Sequence, residues 1–427
     1  MKKLLFIGGL IAINHLGAQF KINIEAPANF ESKEVYIYTL DGSKDKLYSK
    51  ETRKGNSWQI NFNEPYMGML KAYFPEVNAS MNFISENKDV KMVLNTDNRK
   101  IDNINYLDES NNLMNGLQDT QQKKEYILPA LYQIKDYYKG KSAFGSALEE
   151  EISRLSKTQV SLDKYPFINF YNQNYGRFIE KNASKKPLTH DEISNFLSQS
   201  SNLLESSSLL RPILVAYLNI GPSNNVSADV DKLIAATGTN TSRGQTILAE
   251  LIEIFDMYSM QELKEKYLAT AESLKKPVNE RLLATITKNN GTKVGATFTN
   301  YFFVRPANTT AKSIYDVKAD KKVVVFWAST CSHCESELPE IAKKYSLLKS
   351  KGVEVIAFSL DNEKDAYEKK IKDFPWINDS ELKGWYSSTA DIYNVQSTPT
   401  YFILDSSNKV IAKPDHAADV LSYFKVN

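Results

Sequence analysis

The fold of this chain is decided by the stretch Val323-Val324-Val325-Phe326-Trp327-Ala328-Ser329-Thr330-Cys331-Ser332-His333-Cys334. Its β-branched and aromatic residues predict a buried strand, and a short turn, a C-x-x-C pair and a helix-like run follow. The two cysteines are the only ones in the 427-residue sequence. A disulfide between positions so close together closes almost no loop and would stabilise the fold very little. Reversible redox chemistry is therefore the better interpretation of the pair.

Length and composition are typical of a globular protein with two or three domains, since domains usually hold about 100–200 residues. Hydrophobic residues make up 42% of the sequence and charged residues 24%, which is ordinary for such proteins. The formal net charge is only +2. The charge balance therefore gives no electrostatic reason to expect binding to nucleic acid or to an anionic membrane.

The N-terminus reads as an export signal. Lys2 and Lys3 form a positive start, residues 4–13 form an apolar run, and Leu16-Gly17-Ala18 suits a cleavage site. The apolar run is too short to cross a membrane, and no cysteine near the cleavage site could carry a lipid. We therefore predict a signal peptide over 1–18 and an exported, periplasmic protein. The alternative is a buried N-terminal strand or helix.

Three regions follow the predicted signal peptide. Residues 19–104 contain short runs of alternating polar and apolar residues separated by turn signals, which predicts a small β-sandwich. In residues 105–290 the apolar period changes to that of helices, which predicts an all-α region. Two predicted capping boxes in it are Thr189-His190-Asp191-Glu192 and Ser259-Met260-Gln261-Glu262. Residues 291–427 alternate predicted strands and helices, which favours an α/β domain.

The position of the cysteine pair suggests a role for each sulfur. Cys331 is expected at a helix N-terminus, where unpaired N–H groups and the helix dipole stabilise a thiolate. Cys334, one turn further on, could attack a mixed disulfide formed by Cys331. We therefore predict that Cys331 is the nucleophile and Cys334 the resolving thiol. Ser332 and His333 place a hydroxyl and an imidazole beside the sulfur, and a protonated His333 would favour the thiolate.

Three other interpretations of the pair compete with redox chemistry. A zinc site needs four ligands, and the remaining candidates, His190, His333 and His416, are mostly distant in sequence. An inert buried pair is disfavoured because the motif follows a strand and does not lie inside an element. A peroxidase would need a threonine three positions before its reactive cysteine, where this chain has Ala328.

From about residue 293 onward, the chain resembles the thioredoxin superfamily, and most closely the exported TlpA/ResA-type thiol-disulfide oxidoreductases. The matching pieces are Phe326-Trp327-Ala328, Cys331-Ser332-His333-Cys334, Glu337-Leu338-Pro339, Phe358-Ser359-Leu360-Asp361 and Tyr393-Asn394-Val395-Gln396-Ser397-Thr398-Pro399-Thr400. The whole layout is also similar to multidomain exported proteins of Bacteroidetes-type bacteria, which place an N-terminal β domain before a thioredoxin-like domain.

The resemblance implies roles for further residues. It places Thr398 and Pro399 at the family's cis-proline position, where the backbone of a substrate docks, and it places Trp327 among the substrate-binding residues. It also implies that Glu337 accepts or relays the proton of Cys334. In thioredoxin itself a buried Asp stands where this chain has Val325, so more weight falls on Glu337.

The sequence therefore predicts an exported thiol-disulfide oxidoreductase. Its expected partners are protein thiols or disulfides and a redox partner protein. It needs no cofactor beyond the Cys331–Cys334 pair, and no metal. The Ser-His dipeptide between the cysteines leaves the direction of electron flow open. The alternatives are a binding or scaffold protein whose β and helical domains recruit a partner, and a structural zinc site.

Overall fold

The computed structural model describes residues 19–138, 142–157, 161–180, 187–220, 226–275 and 277–426. The predicted signal peptide, residues 1–18, lies outside these ranges. The chain divides into two compact units. One holds the described residues up to 180 together with Ser201–Leu209, and the other holds Pro187–Ser200 and the chain from Leu210 onward. No helix in the described ranges has the length and apolar character needed to cross a membrane.

The first unit begins with two four-stranded sheets, ordered β4-β1-β7-β8 and β3-β2-β5-β6. All their neighbours are antiparallel except β1 and β7. Their strands are β1 Phe20–Glu25, β2 Glu34–Asp41, β3 Lys44–Thr52, β4 Ser57–Phe62, β5 Met67–Phe74, β6 Ala79–Glu86, β7 Val90–Asp97 and β8 Lys100–Tyr106.

A single apolar core lies between these sheets. Alternate residues of β1 and β7, such as Ile22 and Met92, meet alternate residues of β2 and β5, such as Ile37 and Ala72. In each strand the neighbouring side chains point to the opposite face, as the two-residue period of a strand requires. Trp58 fills the core and donates its indole N–H to the Lys33 carbonyl at 3.1 Å. The predicted β-sandwich is confirmed.

Helices cover the outer face of one sheet. They are α1 Glu109–Gln122, α2 Leu128–Lys135, α3 Ala143–Lys157 and α4 Pro166–Phe178, with a π-helical turn, Lys123–Ile127, between α1 and α2. The Glu86 carboxylate accepts hydrogen bonds from the backbone N–H groups of Phe167 and Ile168, at 3.0 and 2.8 Å. Because the first N–H groups of a helix lack partners within it, Glu86 ties the start of α4 to β6.

The second unit opens with helices α5 His190–Gln199, α6 Leu210–Leu218, α7 Val226–Thr237, α8 Ser242–Met257, α9 Gln261–Glu272 and α10 Glu280–Thr292. Thr189 caps α5 as predicted, since its side chain accepts from the Glu192 N–H. The second predicted capping box is wrong. Ser259 has a φ of 55°, and α9 starts one residue later, after Met260, without a side-chain cap.

Four charged side chains hold α8 at the centre of these helices. The Glu250 and Glu253 carboxylates, 0% and 2% exposed, lie between the guanidinium groups of Arg211 and Arg281. Arg281 reaches Glu250 at 3.2 Å and Glu253 at 2.9 Å. Buried charges are tolerated only when they are paired and hydrogen-bonded, so this network fixes how α6, α8 and α10 pack.

The α/β part of the second unit has a five-stranded sheet, ordered β11-β10-β9-β12-β13. The first three strands are parallel, and β12 and β13 are antiparallel to their neighbours. The elements are β9 Lys321–Trp327, α11 Ser332–Ser350, β10 Val353–Ser359, α12 Lys364–Lys370, β11 Ile377–Ser380, α13 Ser388–Ile392, β12 Thr400–Asp405, β13 Val410–Ala412 and α14 Ala417–Tyr423, with 3-10 turns at Ile314–Asp316, Ile371–Asp373 and Gly384–Tyr386.

Strand β9 is central and buried on both faces. Val323, Val325 and Trp327 pack in one core with residues of α11 and α14. Val324 and Phe326 pack in the core on the other side of the sheet. A continuous apolar run is what a strand of a parallel sheet needs, because both of its faces are covered. The turn after β9 therefore emerges at the edge where the parallel strands end, and this edge carries the cysteine pair.

Candidate active site

Cys331 is the N-cap residue of α11 and is partly exposed. Its Sγ accepts a hydrogen bond from the Cys334 backbone N–H at 3.3 Å. Both cysteines are free thiols. The first N–H groups of a helix have no partner within the helix, so a negative sulfur at the N-cap is stabilised by them and by the helix dipole. The structure thus places Cys331 where the sequence predicts the nucleophile.

Cys334 lies one turn into α11 and is only 2% exposed. Burial raises the pKa of the Cys334 thiol, and the neighbouring Cys331 raises it further. The two sulfurs are therefore unequal. One is accessible to a partner, and the other stays a protonated thiol until a base removes its proton.

The Thr398–Pro399 peptide bond is cis. The Thr398 carbonyl accepts a hydrogen bond from the Cys331 thiol at 3.2 Å, although the two residues are 67 positions apart. Strand β12 begins at Thr400, directly after Pro399, and Thr400 pairs with Phe326 of β9. The central pair of strands thus brings the predicted docking residues against the predicted nucleophile.

Glu337 is held by three groups from distant parts of the chain. Its Oε2 accepts from the Tyr401 hydroxyl at 3.1 Å and from the Ala417 backbone N–H at 2.8 Å. Its Oε1 lies 3.1 Å from the His416 Nδ1. The hydrogen bond to Glu337 and the negative charge of Glu337 raise the pKa of His416. Burial is the main cause of the raised pKa of Tyr401, and Glu337 raises it further. Within the described part of the chain, the hydrogen bonds of Glu337 go to these groups and none goes directly to Cys334.

Two other predicted site residues differ in their surroundings. Trp327 is 1% exposed and packs edge-on against Phe374, with ring centroids 5.2 Å apart. The Trp327 side chain exposes almost no surface to a substrate, so it supports the site from within the core. The predicted substrate contact of Trp327 is therefore wrong.

His333 is exposed on the first turn of α11. Its imidazole is held by no hydrogen bond in the ranges described above, so it is free to face a partner.

Asp361 is a further site residue, one to which the sequence pattern alone gives no role. It is 5% exposed and follows β10 at the same edge of the sheet. Its Oδ1 accepts from the backbone N–H and the hydroxyl of Ser329, at 2.9 and 2.7 Å, and its Oδ2 accepts from the Ser359 hydroxyl at 2.6 Å. Asp361 therefore anchors the turn that leads into Cys331. The signal in the sequence is an acidic residue placed directly after a buried strand.

The described residues contain no group of three or more His, Cys, Asp or Glu side chains arranged to hold a metal ion. What the site does bring together is an accessible thiol, a buried thiol, a carbonyl beside the first, and a carboxylate on the same helix. This set can exchange thiols and disulfides without an added group.

Residues 320–410 match the family model described as thioredoxin-like. The thiol-disulfide oxidoreductase ResA of Bacillus subtilis is 28% identical over 114 residues, which are 26% of this chain and 61% of that protein. ResA of Bacillus cereus is 32% identical over 102 residues, 23% of this chain and 56% of that protein. This chain thus spans less than two thirds of the length of either relative.

Solved structures from Bacteroides give the same kind of match. The thioredoxin domain of a thiol-disulfide oxidoreductase from Bacteroides vulgatus is 24% identical, with a TM-score of 0.29, and the match covers 32% of this chain and 99% of that one. A thiol:disulfide interchange protein from Bacteroides sp. is 23% identical, with a TM-score of 0.29, over 32% of this chain and 90% of that one.

Proposed function

Because its C-terminal α/β domain belongs to the thioredoxin superfamily, we propose that this chain is a thiol-disulfide oxidoreductase that acts on protein thiols or disulfides through Cys331 and Cys334. The observation that carries the proposal is the inequality of the two sulfurs. Cys331 is accessible at a helix N-terminus, and Cys334 is buried one turn behind it. That arrangement favours attack by the first sulfur and resolution by the second.

In the reducing direction, the Cys331 thiolate attacks one sulfur of a substrate disulfide. A mixed disulfide forms, and the other substrate sulfur leaves as a thiolate and takes up a proton. The Cys334 thiolate then attacks the Cys331 sulfur, which releases the second substrate thiol and leaves a Cys331–Cys334 disulfide. Two electrons pass to the substrate. The oxidising direction runs through the same steps in reverse.

The second step requires Cys334 to lose its proton, and we propose that the Glu337 carboxylate accepts it. Tyr401 packs in the same buried cluster as Cys334 and donates its hydroxyl to Glu337. The carboxylate is therefore linked to the surroundings of the buried thiol through Tyr401. A carboxylate with this link is a suitable general base for a thiol whose pKa is raised by burial.

Substrate docking is assigned to the backbone at Thr398. Its carbonyl already accepts a hydrogen bond from the Cys331 thiol. The attacking thiolate of Cys331 has already lost this proton, so the Thr398 carbonyl is then open to accept a backbone N–H of the substrate. Pairing of an extended segment with such an exposed backbone edge is a common mode of peptide recognition.

We further propose that residues 1–18 direct export, that the protein works in the periplasm, and that a redox partner protein restores the Cys331–Cys334 pair after each cycle. Disulfide chemistry of this kind suits an oxidising compartment. Fractionation of cells that express the full sequence tests the location, with the mature protein expected to begin near Gln19.

The direct test is the reduction of insulin disulfides by wild type, Cys331→Ser and Cys334→Ser. We expect Cys331→Ser to be inactive and Cys334→Ser to accumulate a mixed disulfide with the substrate. Equal activity of all three proteins would refute the proposal. The reduction potential of the pair then gives the direction: about −270 mV indicates a reductase, and about −180 to −120 mV indicates an isomerase or oxidant.

A further inference from the structure

A groove of about 430 Å³ runs along one face of α9. The helix contributes residues spaced three and four positions apart, as neighbours on one face are: Gln261, Lys264, Glu265, Leu268, Ala269 and Glu272. The opposite wall comes from the end of α10, the residues that follow it, and the turn after β13. Sites for ligands usually measure about 300–1,000 Å³, so this groove is large enough to hold a bound molecule.

The groove adjoins the place where the proposed substrate docks. A smaller cavity of about 80 Å³ lies beside the cis-proline. Three residues line both cavities, namely Gln261, Lys413 and Asp415. The first residue of α9 therefore marks the cis-proline end of the groove, and Glu272, the last residue of α9, marks the far end. A chain that docks at Thr398 has a continuous path from there along α9.

Polar contacts fix α9 beside the cis-proline loop. Asp256, near the end of α8, pairs with Lys264 of α9 at 2.6 Å, and its Oδ2 accepts from the Asn394 side-chain amide at 3.5 Å. Lys288 of α10 forms an ion pair with Asp391 of α13. Both walls of the groove are thus tied to the segment that leads to the cis-proline.

The charges of the lining are balanced. The groove is lined by three lysines and three carboxylates: Lys264, Lys293, Lys413, Glu265, Glu272 and Asp415. Lys293 lies 3.9 Å from Glu272, and the charges of Asp256 and Asp415 attract Lys413. The walls therefore offer both donors and acceptors of hydrogen bonds but no net charge. They suit a peptide main chain, which is neutral and carries a donor and an acceptor in each residue.

The far half of the groove also has an apolar part. Leu268 and Ala269 lie two turns beyond Gln261, and Val294 faces the groove from the segment after α10. Val294 is 61% exposed, so an apolar side chain bound there covers apolar surface that now faces water. At 1.5 Å per residue, the lining face of α9 is about 17 Å long. An extended chain covers that length with about five residues.

We propose that the groove binds an extended segment of the protein substrate, next to the cysteine that Cys331 attacks, with an apolar side chain over Leu268, Ala269 and Val294. The inference rests on the proposed function and names its substrate class, which is disulfides in extended segments with an apolar residue a few positions from the cysteine. The helical region then selects substrates, because α9 forms one wall of the groove.

The test uses peptides with one cysteine joined by a disulfide to a coloured aromatic thiol. Attack by Cys331 on the peptide sulfur releases the coloured thiol, and stopped flow gives the second-order rate constant. One to seven serine or glycine residues precede or follow the cysteine, and a leucine replaces each of them in turn. We expect lengthening on one side only to raise the rate, up to about five residues. Leucine in the outer part of that segment is expected to raise it about 5-fold more, the effect of burying part of one apolar side chain.

Three variants locate the effect. Ala269→Trp fills the groove from an exposed position and is expected to react with long and short peptides at equal rates. Val294→Asp places a charge in the apolar part and is expected to lose the preference for leucine. Ala235→Trp, at an exposed alanine of α7 outside the lining, is the matched control and is expected to behave as wild type.

A second measurement separates this inference from the proposed function. Fluorescent peptides with serine in place of cysteine are titrated with the full chain, and anisotropy gives their Kd values. Rates that depend on neither length nor leucine overturn the inference and leave the function standing. So does a length dependence that survives in Ala269→Trp, or a leucine preference that survives in Val294→Asp. Binding that both variants weaken, without release of the coloured thiol from any peptide, supports the groove and overturns the function.

Discussion

Replacing Asp361 with alanine removes the side chain that holds the turn before Cys331. Three hydrogen bonds end on this carboxylate, two from Ser329 and one from Ser359. Ser329 lies two positions before Cys331. The substitution therefore leaves both cysteines in place and weakens only the hydrogen bonds that fix the turn before Cys331.

The magnitude follows from what the donors lose. A hydrogen bond to a charged group contributes about 1.5–3 kcal/mol, but contributions that share one side chain do not add. Ser329 is half-buried, and among the described residues its N–H donates to Asp361 alone. We therefore expect Asp361→Ala to destabilise the α/β part by about 3 kcal/mol. Asp361→Asn keeps two acceptor positions and loses the charge-assisted bond from Ser359, so we expect about 1 kcal/mol.

Cys334 offers a local readout of this loss. In a Cys331→Ser background it is the only thiol in the chain, and it is 2% exposed. Serine is also a good N-cap, so this background keeps the start of α11. Alkylation of Cys334 by iodoacetamide then reports opening of the α/β part alone. A loss of about 3 kcal/mol corresponds to about 150-fold faster alkylation, and about 1 kcal/mol to about 5-fold.

Asp373→Ala, at an exposed aspartate of a 3-10 turn, is the control and is expected to leave the alkylation rate unchanged. With both cysteines present, Asp361→Ala is also expected to lower the rate of insulin reduction. An alkylation rate within 3-fold of the control would refute the reasoning, because it would mean that the three hydrogen bonds do not hold the turn.

Three further predictions concern the carboxylate of α11 and the buried charges of α8. Glu337→Gln is expected to return the pKa of His416 from its raised value to about 6.5, as measured by NMR of the ring. Because the pKa of His416 is raised in the folded state, the His416–Glu337 pair stabilises the protein below about pH 6.5, and this stabilisation fades as pH rises through the folded pKa. His416 is 70% exposed, so the pair contributes less than about 0.5 kcal/mol to the free energy of unfolding. Tyr401→Phe removes a donor that holds Glu337 in place, so it is expected to lengthen the life of the mixed disulfide about 10-fold and to shift its pH profile in stopped-flow reduction of insulin. An unchanged lifetime would mean that Tyr401 does not position the base. Arg281→Ala is expected to cost about 3–5 kcal/mol by leaving two buried carboxylates with one cation, seen as faster hydrogen exchange in α8, and Arg281→Met is expected to do the same.

Strands could be predicted where the local sequence shows an apolar pattern, either a two-residue period or, as in β9, a continuous apolar run. The alternating runs within residues 19–104 correspond to strands such as β1, β2, β4 and β7, whose buried residues follow a two-residue period. Strand β3 lies at the edge of its sheet and carries charged residues along an exposed face, as edge strands do, so it has no such period. Strand β11 is buried throughout although it contains Asn378 and Asp379. Backbone N–H groups of the segment before β9 satisfy the Asp379 carboxylate, and these contacts cannot be read from a local pattern.

The cysteine pair was predictable because strand, turn and helix are all local. The partners of Glu337 were not, since Tyr401, His416 and Ala417 are 64, 79 and 80 positions away. The resemblance named Thr398 and Pro399, and the β9–β12 register explains why they face Cys331. It also placed Trp327 in contact with substrate, whereas the strand turns that side chain into the core.

The two oxygens of Glu337 have different tasks if this residue takes the proton of Cys334, as proposed. Oε2 accepts from Tyr401 and Ala417, and two donors occupy both of its lone pairs. Those bonds join β12 and the start of α14 to the active-site helix, so they must persist through the cycle. Among the described residues, Oε1 contacts the imidazole of His416, which is 70% exposed, and no second donor, so Oε1 is the oxygen with room for a proton. From Oε1 the proton can pass to water beside the exposed His416. The bonds from Tyr401 and Ala417 to Oε2 stay intact while it leaves.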